Sequence, residues 1–300
     1  MIVLHRTFGQ KLVLVVFCFP VLLMLLYIFR NSIYLLSNFV FTSENKNVSE
    51  NCNYTDTFER IPPMIHQIHG FKDSKLEISH VNKMKTWANY HKNYTHYLWN
   101  ETSANNLIKR EYSYIYPIYK SYGSWIQRAD VARYVILHHY GGWYIDLDVI
   151  CNSGLHKLVE NAYQLKKRVI LHITFPVGTS NDIFGITPRH PYLRSVLGNL
   201  YNANRWYLIP HWNILFSAGS TYMWGRYLNF PCKEEFLILE KEQYKQYFQI
   251  EHDGSWHSWD DRAALLLLRL ITNRVWFTTF MVLLIVMFSV FLRRVICPRK

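Results

Sequence analysis

The sequence predicts an α/β domain placed between two transmembrane helices. Strand-like and helix-like segments alternate through the middle of the 300-residue chain, which is typical of α/β folds. An uncharged apolar stretch stands near each end of the chain. Hydrophobic residues make up 50% of the chain and charged residues 18%, so it can bury a sizeable core and wholesale disorder is excluded.

The first apolar stretch covers residues 12–29 and carries no charge, while Arg6, Lys11 and Arg30 flank it. About 18–20 apolar residues span a bilayer, so 12–29 is predicted to be a transmembrane helix that follows a cytosolic tail, 1–11. The alternative is a cleaved signal peptide. The stretch is longer than the usual core of about 7–15 residues, and no small-residue cleavage site follows, so an uncleaved anchor is favoured.

The second apolar stretch, residues 275–292, is also uncharged and runs into a short basic tail, 293–300. The positive-inside rule places that tail in the cytosol and the segment between the two stretches in the lumen. Glycosylation sequons in this segment agree, at Asn47, Asn53, Asn93 and Asn100. Residues 30–58 are polar and predict a stem, and 59–274 predict the folded lumenal domain. Three cysteines lie between the stretches, and their pairing stays open: Cys52, Cys151 and Cys232.

Within the lumenal domain the residue pattern predicts elements in this order: a strand at 65–68, a helix at 83–91, a strand at 97–99, a helix at 107–122 despite Pro117, and a helix at 126–139. The last helix has a clear apolar stripe. Gly141 and Gly142 follow it, and glycine accepts the left-handed conformation that commonly ends a helix.

The next predicted strand, 143–149, holds the polar residues with the clearest chemical pattern. Strand alternation places Asp146 and Asp148 on one face with Tyr144, at about 6.6 Å along the chain. Two carboxylates this close favour a cation, and hard oxygen ligands suit Mg²⁺ or Mn²⁺, which can hold a diphosphate. Asp130 and Arg133 share a helix face that leads into this strand. Each pair alone is a weak signal, but the combination is specific.

The run 128–149 resembles the sugar-binding region of glycosyltransferase family 32, and within that family the chain is most similar to the fungal mannosyl phosphorylinositol ceramide synthases. Further blocks carry the same resemblance, at 61–67, 178–182, 185–191, 206–210 and 254–257. The resemblance covers roughly residues 60–292. It implies a GT-A fold, a Rossmann-like α/β sheet, for the catalytic domain 59–274.

The resemblance also implies residue roles. Donor-sugar contacts are expected from Asp130, Arg133, Tyr144 and Asp146. Metal contacts are expected from Asp146, Asp148 and His257, and positions at the reacting carbon from Asn181 and Asp182. Asn181 and Asp182 have an alternative as a capping pair before Ile183, and His257 has one as a core histidine. For Arg189 and His190 a surface role is favoured over contact with an anionic acceptor.

The implied activity is a retaining, metal-dependent transfer of mannose from GDP-mannose to inositol phosphorylceramide, with Mn²⁺ or Mg²⁺ as cofactor. It implies a multi-pass Golgi membrane protein with a lumenal catalytic domain, and a membrane-bound regulatory subunit as a possible partner. Two alternatives stay open: a family-32 transferase with another donor or a glycan acceptor, and a catalytically silent membrane partner. A net charge of +12 suits anionic substrates, and since no nucleic-acid signature accompanies it, a nucleic-acid partner is not expected.

Overall fold

The computed structural model describes residues 59–71, 75–174, 178–207 and 210–251. Both predicted membrane stretches, the predicted stem and His257 lie outside these residues. Within the described part of the chain, no helix is both long and apolar enough to cross a membrane.

The described residues form a mixed α/β fold around a six-stranded sheet. Its strands are β1 (Met64–Ile68), β2 (Thr95–Trp99), β3 (Gly142–Ile145), β5 (Val169–His172), β6 (Ile183–Ile186) and β7 (Phe236–Leu239), in the order β2-β1-β3-β6-β5-β7. β1 pairs in parallel with β2 and β3, and β5 pairs in parallel with β7. β6 is antiparallel to both β3 and β5. A separate antiparallel pair joins β4 (Val149–Cys151) to β8 (Phe248–Ile250).

The helices connect and cover these strands. In chain order they are α1 (Ile78–Tyr90), α2 (Glu101–Glu111), α3 (Tyr116–Ser121), α4 (Trp125–Tyr140), α5 (His156–Gln164), α6 (Pro191–Gly198), α7 (Leu200–Ala203), α8 (Pro210–Ser217), α9 (Ser220–Leu228) and α10 (Lys241–Tyr244), with a 3₁₀ turn at Lys233–Glu235. The predicted strands at 65–68 and 97–99 and the predicted helices at 83–91 and 126–139 are confirmed.

The single helix predicted over 107–122 is wrong. Two helices, α2 and α3, stand there, and Pro117 lies in the first turn of α3. A proline in the first turn loses no helical hydrogen bond, whereas in a helix interior it removes one and clashes with the preceding turn. Pro117 therefore starts a helix in this chain, and α2 ends before it.

The core lies on both faces of the six-stranded sheet. Trp143 and Ile145 of β3 pack in one apolar cluster with Trp87 of α1, and Tyr144 packs in the other with residues of α4. Of the residues in α4, those from Ala129 to His138 are all buried. A polar residue on this helix therefore faces protein on every side, which makes Asp130 and Arg133 unusual.

The strand predicted over 143–149 is wrong in its second half. β3 ends at Ile145, and the N–H of Val149 donates to the carbonyl of Asp146 at 3.3 Å, which closes a turn over the two aspartates. β6 pairs with β3 only as far as Ile145, and the chain then joins β8 instead. Leu147, which strand alternation would turn toward the core with Trp143 and Ile145, is only half-buried in this turn.

Two more expectations are settled by burial and bonding. Cys151 is a buried free thiol and Cys232 is disulfide-bonded, so Cys151 takes no part in a bridge.

The surface role expected for His190 is wrong. His190 is buried, its Nδ1 accepts the N–H of Tyr192 at the start of α6, and its Nε2 lies 2.9 Å from Glu235.

Candidate active site

The candidate site lies at the carboxyl end of β3, where the sheet changes from parallel to antiparallel pairing. Ile145, the last residue of β3, pairs with Ile183, the first residue of β6. The residues just outside that pair are Asp146 and Asp182, and the N–H of Asp146 donates to the carbonyl of Asp182 at 2.7 Å. Ligands of open α/β sheets bind at carboxyl edges of this kind, where the strand order changes direction.

Arg133, from the middle of α4, connects the parts of the site. Its Nη1 donates to the carbonyl of Asn181 at 2.6 Å, and its Nη2 donates to Oδ1 of Asp146 at 3.3 Å. The guanidinium also lies 3.4 Å from Oδ1 of Asp130 and 4.5 Å from the ring centre of Tyr144. Burial opposes the charge of Arg133, but Asp146, Tyr144 and Asp130 together raise its pKa. Arg133 is therefore a fixed positive charge inside the protein.

Asp130 is buried one helical turn before Arg133. Its Oδ1 accepts a hydrogen bond from Nδ2 of Asn181 at 2.9 Å, and the same amide nitrogen donates to the hydroxyl of Tyr134. Burial raises the pKa of Asp130 to about 7, although Arg133 opposes the rise. Asp130 therefore changes its charge near neutral pH. Tyr134, four residues after Asp130 on the same helix face, was not predicted, although its spacing could have indicated it.

Tyr144 and Asp146 form the next part of the site. The hydroxyl of Tyr144 donates to Oδ1 of Asp146 at 2.6 Å, and Arg133 contacts the same oxygen. Burial raises the pKa of Asp146 and holds the pKa of the Tyr144 phenol well above its usual value. The two contacts fix the orientation of the carboxylate through Oδ1, and neither of them uses Oδ2.

Asp182 sits beside Asp146 but has its own partner. Its Oδ1 lies 2.7 Å from Nε2 of His172 and also accepts the N–H of Ile183 at 2.7 Å. Burial alone would raise the pKa of Asp182, but His172 and the hydrogen bonds outweigh it and the pKa is lowered. The bond to Ile183 is the capping contact considered as an alternative for this pair, and the side chain of Asn181 instead points to Asp130. His172 was not predicted, because only the register of β5 and β6 brings it here.

Asp148 lies in the turn after β3 and is half-buried. Its carbonyl accepts the N–H of Glu251, which ties the turn to the end of β8. Among the described residues, no group of three or more His, Cys, Asp or Glu side chains could hold a metal ion. Asp146 and Asp148 still offer two carboxylates on one turn, and this donor set fits a hard divalent cation that takes further ligands from a diphosphate and water.

Comparison with known proteins identifies similar chains. Residues 79–165 match a family model described as a glycosyltransferase sugar-binding region containing a DXD motif. The mannosyl phosphorylinositol ceramide synthase CSH1 of Saccharomyces cerevisiae is 34% identical over 217 residues, which are 69% of this chain and 56% of that protein. The inositol phosphoceramide mannosyltransferase 1 of Schizosaccharomyces pombe is 31% identical over 235 residues, which are 75% of this chain and 71% of that protein.

A solved structure, the PaToxG glycosyltransferase, is 15% identical with a TM-score of 0.43 and covers 56% of this chain and 69% of its own. The chain spans little more than half the length of CSH1.

Proposed function

This chain belongs to the family of glycosyltransferases with a DXD-containing sugar-binding region, and on that premise we propose that it transfers mannose from GDP-mannose to inositol phosphorylceramide. Relatives at 31% and 34% identity carry names that state an inositol phosphoceramide mannosyltransferase or synthase, which supports the sugar and the acceptor. GDP as the nucleotide and a GT-A arrangement of the domain 59–274 are part of the proposal. The parallel-rich sheet, with its polar cluster at the carboxyl edge of β3, supports the GT-A arrangement.

The observation that carries the proposal is the buried cluster around Arg133. Burying charged side chains costs several kcal/mol per ion unless each has good partners, so a cluster that serves only the fold is weakly favoured. Here Asp130 and Asp146 contact Arg133 within 3.4 Å and stand beside the turn with Asp148. Carboxylates held in a fixed frame are suited to accept hydrogen bonds from sugar hydroxyls. This arrangement therefore favours a catalytic role over that of a catalytically silent partner.

We assign Asp130 and Arg133 to the donor sugar, with Asp130 accepting from its hydroxyls and Arg133 holding Asp130 and Asp146 in place. Tyr144 orients Asp146 through their 2.6 Å hydrogen bond. Asp146 and Asp148 would hold a divalent cation, Mn²⁺ or Mg²⁺, which would supply positive charge to the leaving diphosphate. The metal contact expected from His257 stays a prediction.

Asn181 and Asp182 lie on the side of the cluster toward β6, and we place the reacting carbon of the sugar against them. In a retaining transfer, the acceptor oxygen bonds to that carbon on the face from which the diphosphate leaves. The acceptor's hydroxyl proton then passes to the departing phosphate oxygen. Nδ2 of Asn181 donates to Asp130 and Tyr134, which holds the side chain in place, and we assign its amide oxygen to this centre.

We further propose that the protein is a multi-pass Golgi membrane protein with residues 59–274 in the lumen, between spans at 12–29 and 275–292. The basic flanks of the two apolar stretches support this orientation. Asn93 and Asn100 are both exposed, as glycosylated residues must be. The disulfide at Cys232 agrees with an oxidising compartment. The membrane-bound regulatory subunit stays a prediction.

A donor screen tests the activity. The purified full chain, with Mn²⁺, is incubated with each nucleotide sugar in the absence of acceptor, and release of the nucleotide is measured. We expect hydrolysis of GDP-mannose above all others, and its loss in Asp148→Asn. Preference for another donor would move the assignment to a different transferase of this family, and no hydrolysis of any donor would indicate a silent partner.

An acceptor comparison completes the test. Radiolabelled GDP-mannose is offered with membrane-embedded inositol phosphorylceramide, soluble inositol phosphate or a mannan oligosaccharide. We expect label in the lipid far above the other two, because an enzyme anchored at both ends meets a membrane headgroup at high effective concentration. Stronger labelling of the oligosaccharide would reject the lipid acceptor and favour a glycan.

A further inference from the structure

A cavity of about 250 Å³ lies at the opposite end of β3 and β6 from the candidate active site. The antiparallel register separates the two ends: Ile145 pairs with Ile183 at the active-site end, and Gly142 pairs with Ile186 at the other. Beyond this second pair, the cavity is open on one side and is lined by residues at the end of α2 and just after it, at the end of α4 and after β6: Glu111, Tyr112, Tyr114, His138, His139, Arg189 and Arg194. None of the residues assigned above to the donor sugar lines it.

His138 gives the cavity a buried hydrogen-bond donor. His138 is one of the lining residues and is 7% exposed, and its Nδ1 lies 2.7 Å from the hydroxyl of Tyr112. Burial lowers the pKa of His138 to about 4 and raises the pKa of Tyr112 to about 12, so both are neutral at pH 7. Tyr112 then donates to Nδ1, and the imidazole proton sits on Nε2. Among the described residues, buried Nε2 has no hydrogen-bond partner.

Two arginines supply positive charge beside that donor. Arg189 and Arg194 line the cavity and are exposed, and no described residue forms an ion pair or side-chain hydrogen bond with either guanidinium. Arg189 adopts φ 56°, and its N–H donates to the carbonyl of His138 at 2.7 Å, which places it directly beside the histidine. The acidic residue in the lining, Glu111, pairs with Arg110 at 2.6 Å and is also attracted by Arg189, so one negative charge stands against the two arginines. The cavity therefore carries net positive charge.

We propose that this cavity binds a phosphate group, with Nε2–H of His138 as the buried donor and Arg189 and Arg194 as the charged ligands. A phosphate has acceptor oxygens on every side, so one oxygen can meet the histidine while the guanidinium groups contact the others. The phosphate belongs either to a soluble phosphate compound or to a phospholipid headgroup. In both cases the site is separate from the donor site and holds whether or not the sugar and acceptor assigned above are correct.

Calorimetric titration of the purified full chain with inorganic phosphate tests the proposal. We expect saturable binding that weakens at least about tenfold in Arg189→Gln/Arg194→Gln, since each charge-assisted hydrogen bond carries roughly that factor or more. Both arginines are exposed, so folding should survive, and circular dichroism checks it. Arg60→Gln, which removes an exposed arginine elsewhere, is the matched control and should bind as the original chain does.

His138→Leu gives an independent test of the buried donor and should also weaken phosphate binding. A short-chain phosphatidic acid, titrated in the same way, identifies the source: tighter binding than inorganic phosphate indicates a lipid headgroup, and equal or weaker binding a soluble compound. If the double arginine variant binds both probes as tightly as the original chain does, the phosphate binds elsewhere, for instance at the diphosphate site. That result, or no binding of either probe, overturns the proposal.

Discussion

The charge of Asp130 is expected to control the pH dependence of transfer. Its carboxyl is buried between Asn181 and Arg133, and burial raises its pKa to about 7. On the proposed donor-sugar assignment, the proton-free form accepts hydrogen bonds from sugar hydroxyls, whereas the protonated form must donate one. Asp130→Asn changes this group with little change in shape, because the amide oxygen can still accept from Asn181.

The size of the effect follows from that pKa. A group with a pKa of about 7 is roughly 9% ionised at pH 6 and roughly 91% ionised at pH 8, so kcat/KM for the donor should rise about tenfold across this interval. Stability should change in the opposite direction. Because the pKa of Asp130 is higher in the folded chain than in the unfolded chain, its protonation stabilises the folded state in acid. This contribution to the free energy of unfolding is lost as the pH rises through about 7.

The assay measures kcat/KM for GDP-mannose from pH 5.5 to 8.5 for the original chain and for Asp130→Asn. We expect the variant to be less active and to lack the rise, while its affinity for GDP alone is nearly unchanged. Thermal unfolding at both ends of this pH range should show that the stability of the variant rises relative to that of the original chain as the pH increases. A flat profile in the original chain, or the same rise in the variant, would refute this role for Asp130.

Three further substitutions test the frame of the site and of the sheet. Asp148→Asn should lower turnover by a factor on the order of 10², since a bound cation supplies several kcal/mol of charge stabilisation. The remaining activity should be insensitive to a chelator, and metal titrations of both proteins measure this loss of metal dependence. Asn181→Ala removes a hydrogen bond that lowers the pKa of Asp130, so the rise in kcat/KM should move to higher pH, and an unmoved profile would contradict the contact. Gly142→Ala should destabilise the fold by about 1–3 kcal/mol, because φ is 90° there and a Cβ would lie 2.7 Å from the carbonyl oxygen of Met64. Thermal unfolding measures this loss of stability, and Gly198→Ala, where a Cβ meets nothing within 4 Å, is the control.

Local signals predicted the part of the fold that surrounds the site. The apolar stripe over 126–139 predicts α4 within a residue at each end, and Gly141, with φ 67°, ends it as expected. The same periodicity places Asp130 and Arg133 on one face, and the structure brings them to 3.4 Å. These features depend on residues within one helix or next to it, and periodicity reports such contacts directly.

Features set by distant pairing could not be predicted. Alternation continues through residues 143–149, but β3 ends at Ile145 because β6 pairs no further. His172 reaches Asp182 only through the register of β5 and β6. His190 is buried because Glu235, 45 positions later in the chain, comes within 2.9 Å of it. In each case the deciding partner is far away in the sequence, where no local pattern indicates it.

The charge balance around Arg133 indicates how the site discriminates among donors. The pKa of the buried Asp130 and that of the half-buried Asp146 are both raised, so one guanidinium does not fully compensate the two carboxylates. Asp182 pairs with His172 instead, so Arg133 does not have to compensate its charge. Hydroxyl groups of a bound sugar can donate to the two under-compensated carboxylates, and a sugar that lacks one of them leaves a buried acceptor unpaired. Sites built this way reject such analogues by up to about 10⁴-fold, so on the proposed assignment we expect hydroxyl positions to set the choice of sugar more than apolar shape does.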